Sequence, residues 1–135
     1  MRSEADLVEI IKNSFIKNDF IVDTEVQMFS KKIDVVCIDP RTKDVYAIEA
    51  KVEKWRRALQ QALTYRLCSN YSYLAIPEEN SSKVDQKLLS KYGIGLIIVN
   101  QDNITILQDA TNSNVLYPRM KEEIIHNGGG LHSPI

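Results

Sequence analysis

Three side chains in two neighbouring segments carry the clearest chemistry in this chain. Asp34 lies in Lys32-Ile33-Asp34-Val35-Val36-Cys37-Ile38, while Glu49 and Lys51 lie in Val45-Tyr46-Ala47-Ile48-Glu49-Ala50-Lys51. Both segments are rich in branched apolar residues, and Asp39-Pro40-Arg41-Thr42-Lys43-Asp44 between them has turn chemistry with its proline inside the loop. The spacing predicts a hairpin. Pairing Asp39 with Asp44 sets Asp34 opposite Glu49 and Lys32 opposite Lys51, all on one face because strand side chains alternate. Directly opposed Cβ atoms lie roughly 4.5–5.5 Å apart, and like charges at that spacing destabilise a ladder unless they are compensated. A divalent cation compensates two carboxylates well, since hard ions such as Mg²⁺ take Asp and Glu oxygens. The alternative is a pair of surface acids on a shifted strand, because a one-residue slip would send them to opposite faces. From the hairpin alone both readings stand.

The elements that must position these residues follow from periodicity. Ser3 can cap a helix running to about Asn18 with Leu7, Val8, Ile11 and Phe15 on its buried stripe. A strand from Phe20 to Phe29, alternating through Phe20, Val22, Val26 and Met28, then leads by Ser30-Lys31 into the hairpin, giving a three-stranded meander. Both hairpin faces are largely apolar: Val36, Ile38, Val45 and Ala47 on the side of the acids, Ile33, Val35, Cys37, Tyr46, Ile48 and Ala50 on the other. That pattern predicts a sheet covered on both sides. A helix is expected from Glu53 to Ser69, a strand from Tyr71 to Ile76, and a helix opened by Ser81-Ser82 and ended at Gly93. Strands at 94–99 and 104–107 and a last helix opened by Pro118 and running to His126 complete the chain. The order αβββαβ followed by αββα reads as an α/β domain, a mixed central sheet with helices on both faces.

Length and composition agree with one ordinary globular domain: 135 residues, 44% hydrophobic, 26% charged. We expect residues 1–127 to form it and 128–135 to be a flexible tail. The longest apolar run, 94–99, is far too short for a membrane span, and the acidic N-terminus shows no apolar secretory core, so a cytoplasmic location is expected. Cys37 and Cys68 are expected to be reduced and structural. His126 and His132, at the edge of the tail, are not expected to be catalytic or zinc-binding. Net charge is −1, but residues 51–66 carry five basic side chains (Lys51, Lys54, Arg56, Arg57, Arg66) against Glu53 alone. A basic segment directly after the carboxylate hairpin suggests phosphate binding, with a merely solvated helix face as the competing reading.

Asp34, Glu49-Ala50-Lys51 and the element order over residues 3–76 together resemble the PD-(D/E)XK, or restriction-endonuclease-like, nuclease superfamily. Gln61-Ala62-Leu63-Thr64-Tyr65 is similar to the QxxxY signature of several of its branches. Glu4 is similar in placement to the first-helix glutamate of archaeal resolvases. Ile33 stands where the superfamily pattern has proline. The resemblance implies a restriction-endonuclease-like core in which Asp34, Glu49 and the Ala50 carbonyl hold Mg²⁺, with Mn²⁺ able to substitute. It implies Lys51 as the motif lysine, and Gln61 and Tyr65 as catalytic helpers. Glu4 would be an outer carboxylate, although a first-turn Glu also complements the helix dipole. Lys54, Arg56, Arg57 and Arg66 are expected to contact DNA phosphates, and Trp55 to be a core residue. The expected activity is metal-dependent hydrolysis of DNA phosphodiesters, in a homodimer by family analogy. A catalytically silent DNA-binding module on the same scaffold is the alternative.

Overall fold

A computed structural model describes residues 2–131. Helix α1, Glu4–Lys17, begins with a capping box: the Asp6 N–H donates to Ser3 Oγ at 3.2 Å and the Ser3 N–H to Asp6 Oδ2 at 2.9 Å. Strands β1 (Ile21–Met28), β2 (Lys31–Ile38) and β3 (Val45–Ala50) follow as an antiparallel meander. Helix α2, Trp55–Tyr65, leads to β4 (Tyr71–Pro77), which runs parallel to β3. A 3-10 turn, Glu78–Lys83, and helix α3, Gln86–Lys91, cross to β5 (Gly95–Val99), parallel to β4; β6 (Ile104–Gln108) returns antiparallel. Helix α4, Pro118–Asn127, and a 3-10 turn, Gly129–Leu131, finish the described chain. The sheet order is β1-β2-β3-β4-β5-β6, so the chain is an α/β domain with a six-stranded mixed sheet.

Helices cover both faces. Leu7, Ile11 and Phe15 of α1 bury against Val35, Cys37, Ile48, Ala50, Ala75 and Ile97. On the other face α2, α3 and α4 pack over two clusters, one centred on Val36, Ile38, Val45 and Ala47 with Tyr65 and Ile124, the other on Leu74, Ile76, Leu96 and Ile98 with Leu59 and Leu89. Strands β4 and β5 are buried almost throughout, which is why they read as unbroken apolar runs rather than alternating ones. Cys37 and Cys68 are buried free thiols, and burial pushes Cys68 up to about 12.

Four local expectations are corrected. Helix α2 begins at Trp55, not Glu53, because Lys54 adopts a left-handed conformation at φ 56° that cannot be part of a helix. Helix α3 starts after Asp85, whose side chain accepts the Leu88 N–H at 3.1 Å; Ser81 and Ser82 belong to the 3-10 turn before it. Residues 128–131, expected in the tail, are packed: Leu131 is buried with Val26 and Ile124, and the Gly130 N–H donates to Asp23 Oδ2 at 2.9 Å. Residues 132–135, including His132, lie outside the described residues.

The fourth correction shapes the site. Strict alternation would keep Ile33 with Val35 and Cys37, and Val26 with Val22. Instead Val22 and Val35 face α1 while Val26 and Ile33 join the opposite cluster. The β1–β2 ladder keeps one register, through Thr24–Val35 and again Val26–Ile33, but Glu25 between them is left-handed at φ 52°. Both strands therefore flip their side-chain parity at the Glu25/Asp34 step.

Candidate active site

The register predicted for the hairpin is the one observed. Ile38 pairs with Val45, Cys37 with Tyr46, Val36 with Ala47 and Val35 with Ile48, so Asp34 and Glu49 come next at the open end. The turn supports this register from the other end, where the Asp39 N–H donates to the Asp44 carbonyl at 3.0 Å and Asp39 Oδ1 accepts the Arg41 N–H at 2.9 Å. At the open end Asp34 replaces a ladder acceptor: its Oδ2 takes the Ala50 N–H at 2.8 Å.

Glu49 is 6% exposed and projects under α2, where the Tyr65 hydroxyl donates to its Oε1 at 2.8 Å. Burial and the adjoining Asp34 carboxylate push Glu49 up to about 8. Burial likewise raises Asp34, against the opposing pull of the Ala50 N–H. Each acid thus raises the cost of ionising the other, and burial favours the protonated form of both. Burial and Glu49 hold the Tyr65 phenol protonated, as a donor must be.

Lys51 is half-buried and lies just beyond β3, with its backbone N–H still bonded to the Ala75 carbonyl at 2.9 Å. Its Nζ is 3.7 Å from Glu4 Oε2, and the same Glu4 oxygen accepts the Val52 N–H at 3.4 Å. Glu4 thus holds the lysine and the end of β3, and its charge reaches Asp34, whose carboxyl it raises further. The site gathers Glu4, Asp34, Glu49, Lys51 and Tyr65 where α1, β2, β3 and α2 meet.

Beside it runs an open groove of about 560 Å³ lined by Lys31, Lys51, Arg57, Gln60, Gln61 and Thr64. Arg57, Gln60, Gln61 and Thr64 stand at i, i+3, i+4 and i+7 and so form one face of α2. Gln61 and Arg57 were expected near the site; Lys31, Gln60 and Thr64 were not. The parity flip that turns Ile33 toward α2 also turns Lys31 to that side, in place of Lys32. The other predicted phosphate contacts are set apart from the groove. Arg66 is half-buried, its guanidinium beside Gly93 and Thr111, and Nε is buried without a hydrogen-bond partner. Arg56 lies over the Trp55 ring, 4.5 Å from its centroid, and Lys54 caps α2 from the left-handed region. Trp55, expected in the core, is only half-buried.

Among the described residues no group of three or more His, Cys, Asp or Glu side chains is gathered into a cation cage. A Mg²⁺ site needs none, since this ion keeps several waters and is commonly held by one or two carboxylates. The donor set present fits it: two adjoining acids, costly to ionise together, with no ammonium or guanidinium paired directly to either.

No protein-family model matches the chain, and no curated protein matches its sequence. Among solved structures, SPO1766 from Silicibacter pomeroyi, a protein of unknown function, superposes with a TM-score of 0.75 at 18% identity, covering 95% of this chain and 84% of that one. The structure of Pyrococcus furiosus SfsA in complex with Ca2+ overlaps with a TM-score of 0.42 at 9% identity, over 81% of this chain and 61% of that one. The likeness to SPO1766 shows a common fold; activity has to be argued from the site.

Proposed function

We propose that this domain is a metal-dependent deoxyribonuclease of restriction-endonuclease-like type, acting on DNA phosphodiesters. The observation that carries the proposal is the hairpin register that sets Asp34 beside the buried Glu49, next to a cationic, glutamine-lined groove that Lys51 also lines. Asp34, Glu49 and the Ala50 carbonyl would hold Mg²⁺ or Mn²⁺. The ion, when bound, would polarise a phosphate oxygen and lower the pKa of an attacking water. Lys51 places an ammonium where it can orient that water and offset charge developing on the phosphate. Tyr65 acts through Glu49, keeping one carboxylate oxygen fixed, and is a positioning residue. Arg57, Lys31 and Gln61 offer donors to the backbone of a strand lying in the groove, which fixes its register without reading sequence.

The test is cleavage of plasmid, junction and single-stranded DNA in Mg²⁺ or Mn²⁺, with Glu49→Ala and Lys51→Ala as controls. Cutting that both substitutions abolish supports the proposal. Tight DNA binding without cutting in either metal would replace it with a catalytically silent binding module. One observation favours that second reading: Lys51 is engaged by Glu4 rather than by the acid pair. A homodimer, in which two sites cut two strands, is part of the proposal and is tested by sedimentation with and without DNA. Among the described residues no helix is long and apolar enough to cross a membrane.

A further inference from the structure

After Lys51 the chain turns through Val52, Glu53 and Lys54 into α2, and this turn walls two more concavities. One is open, about 470 Å³, and extends from Lys51 and Glu4 to Lys54. The other is smaller, about 230 Å³, and largely apolar, with Val52, Ile76 and Val84 as floor and Trp55 as a wall. Lys51 borders both the phosphate groove and the open concavity, and the 52–54 turn borders both concavities. Arg57, Lys51, Lys54 and Trp55 therefore line neighbouring concavities in succession.

The small cavity has the marks of a site for one flat, polar-edged ring. The indole is backed by the Arg56 guanidinium 4.5 Å from its centroid, and that group lies outside the cavity, so the ring is held from behind. Asn80 donates through Nδ2 to the Val52 carbonyl at 2.8 Å, which fixes its amide, and its Oδ1 accepts no hydrogen bond from the described residues. Lys54 and Lys83 stand at the wall with Glu53 beside them. A purely apolar ligand would leave the amide oxygen without a donor and give the two exposed lysines at the rim nothing to pair with. A heteroaromatic base carrying an exocyclic N–H and a phosphate on either side matches them, and the volume admits one base but not a base pair.

We infer that this cavity receives a single unpaired nucleobase of the strand whose backbone lies along the groove, so that the preferred substrate has single-stranded DNA next to the scissile phosphate. The assignment of that phosphate rests on the nuclease reading; the base site itself does not need turnover. Every base offers a π face, so such a site selects unpaired strands with little preference for sequence.

Trp55 is the only tryptophan in the chain, and its emission reports the cavity directly. The full chain, in EDTA so that nothing is cut, is titrated with a blunt duplex, with the same duplex carrying a single-stranded overhang, and with that overhang made abasic. The expected result is quenching by the overhang, binding about tenfold tighter than to the abasic overhang, and no quenching by the blunt duplex. Equal affinity for base-bearing and abasic overhangs, with unchanged emission, overturns the inference. Cleavage in Mg²⁺ is scored separately. Base-dependent quenching without cleavage leaves the base site standing and removes the nuclease reading. Cleavage indifferent to the missing bases does the reverse.

Discussion

Replacing Glu49 by Gln should flatten the pH dependence of folding stability on the alkaline side. In the unfolded chain Glu49 titrates near its ordinary 4.5, whereas in the fold burial and Asp34 push it up to about 8. Between those values the folded state binds more protons than the unfolded one, so stability is full below the lower value and falls as pH rises through the upper. At 1.36 kcal/mol per pKa unit, the difference sets a ceiling of about 5 kcal/mol for the loss. Water entry around the ionised pair lowers the realised cost, to about 2–4 kcal/mol. That is a large share of the roughly 5–15 kcal/mol by which a domain is usually stable. Gln keeps the shape, accepts from Tyr65 and can donate to Asp34, but does not titrate. Asp34, raised in the same direction, leaves a residual slope in the variant. Urea denaturation of both proteins at intervals from about pH 5 to about pH 9 reads the difference as ΔG in water. Adding Mg²⁺ at the alkaline end should restore the wild type, by about 2.7 kcal/mol at a hundredfold excess over its Kd, and do little for the variant. A wild-type stability that is level or rises over this range would refute the reasoning, as would a Gln variant that keeps the whole slope.

Tyr65→Phe removes the donor that favours ionised Glu49, so the alkaline loss should extend to higher pH and Mg²⁺ affinity should fall about tenfold, read by urea denaturation across pH and by thermal shift against metal concentration. Arg57→Ala should weaken DNA binding evenly across sequences and reduce the slope of log K against log salt by about 1, measured by anisotropy. Arg66→Ala, whose side chain lies beside Gly93 away from the groove, should leave that slope unchanged. Ser3→Ala breaks the capping box of α1 and should cost about 1 kcal/mol in urea denaturation without shifting the pH profile.

The placing of Asp34 beside Glu49 was legible because the turn fixes the hairpin's register. A turn rich in Asp and Thr with an internal proline set where the hairpin closes, and that closure fixes each pair along the two strands as far as Val35 and Ile48. The groove was only half legible. Arg57 and Gln61 follow from the period of α2, and the same period would have removed Arg66: nine residues from Arg57 is two and a half turns, so it points to the opposite side of the helix. Gln60 and Thr64 were open to the same reasoning but depended on how α2 docks, which is a tertiary choice. Lys31 was not legible at all. Its turn toward the site comes from a parity break centred on Glu25, a residue type that seldom takes positive φ and gives no glycine signal. That break also turns Val26 and Ile33 into the core beneath α2 and α4, so the groove's outlying cation is held by the same packing that closes the sheet. Lys31 then reaches the groove from β2 and Arg57 from α2. Under the proposed function, the parity break at Glu25/Asp34 is needed for the groove's charge, since without it Lys32 rather than Lys31 would face α2.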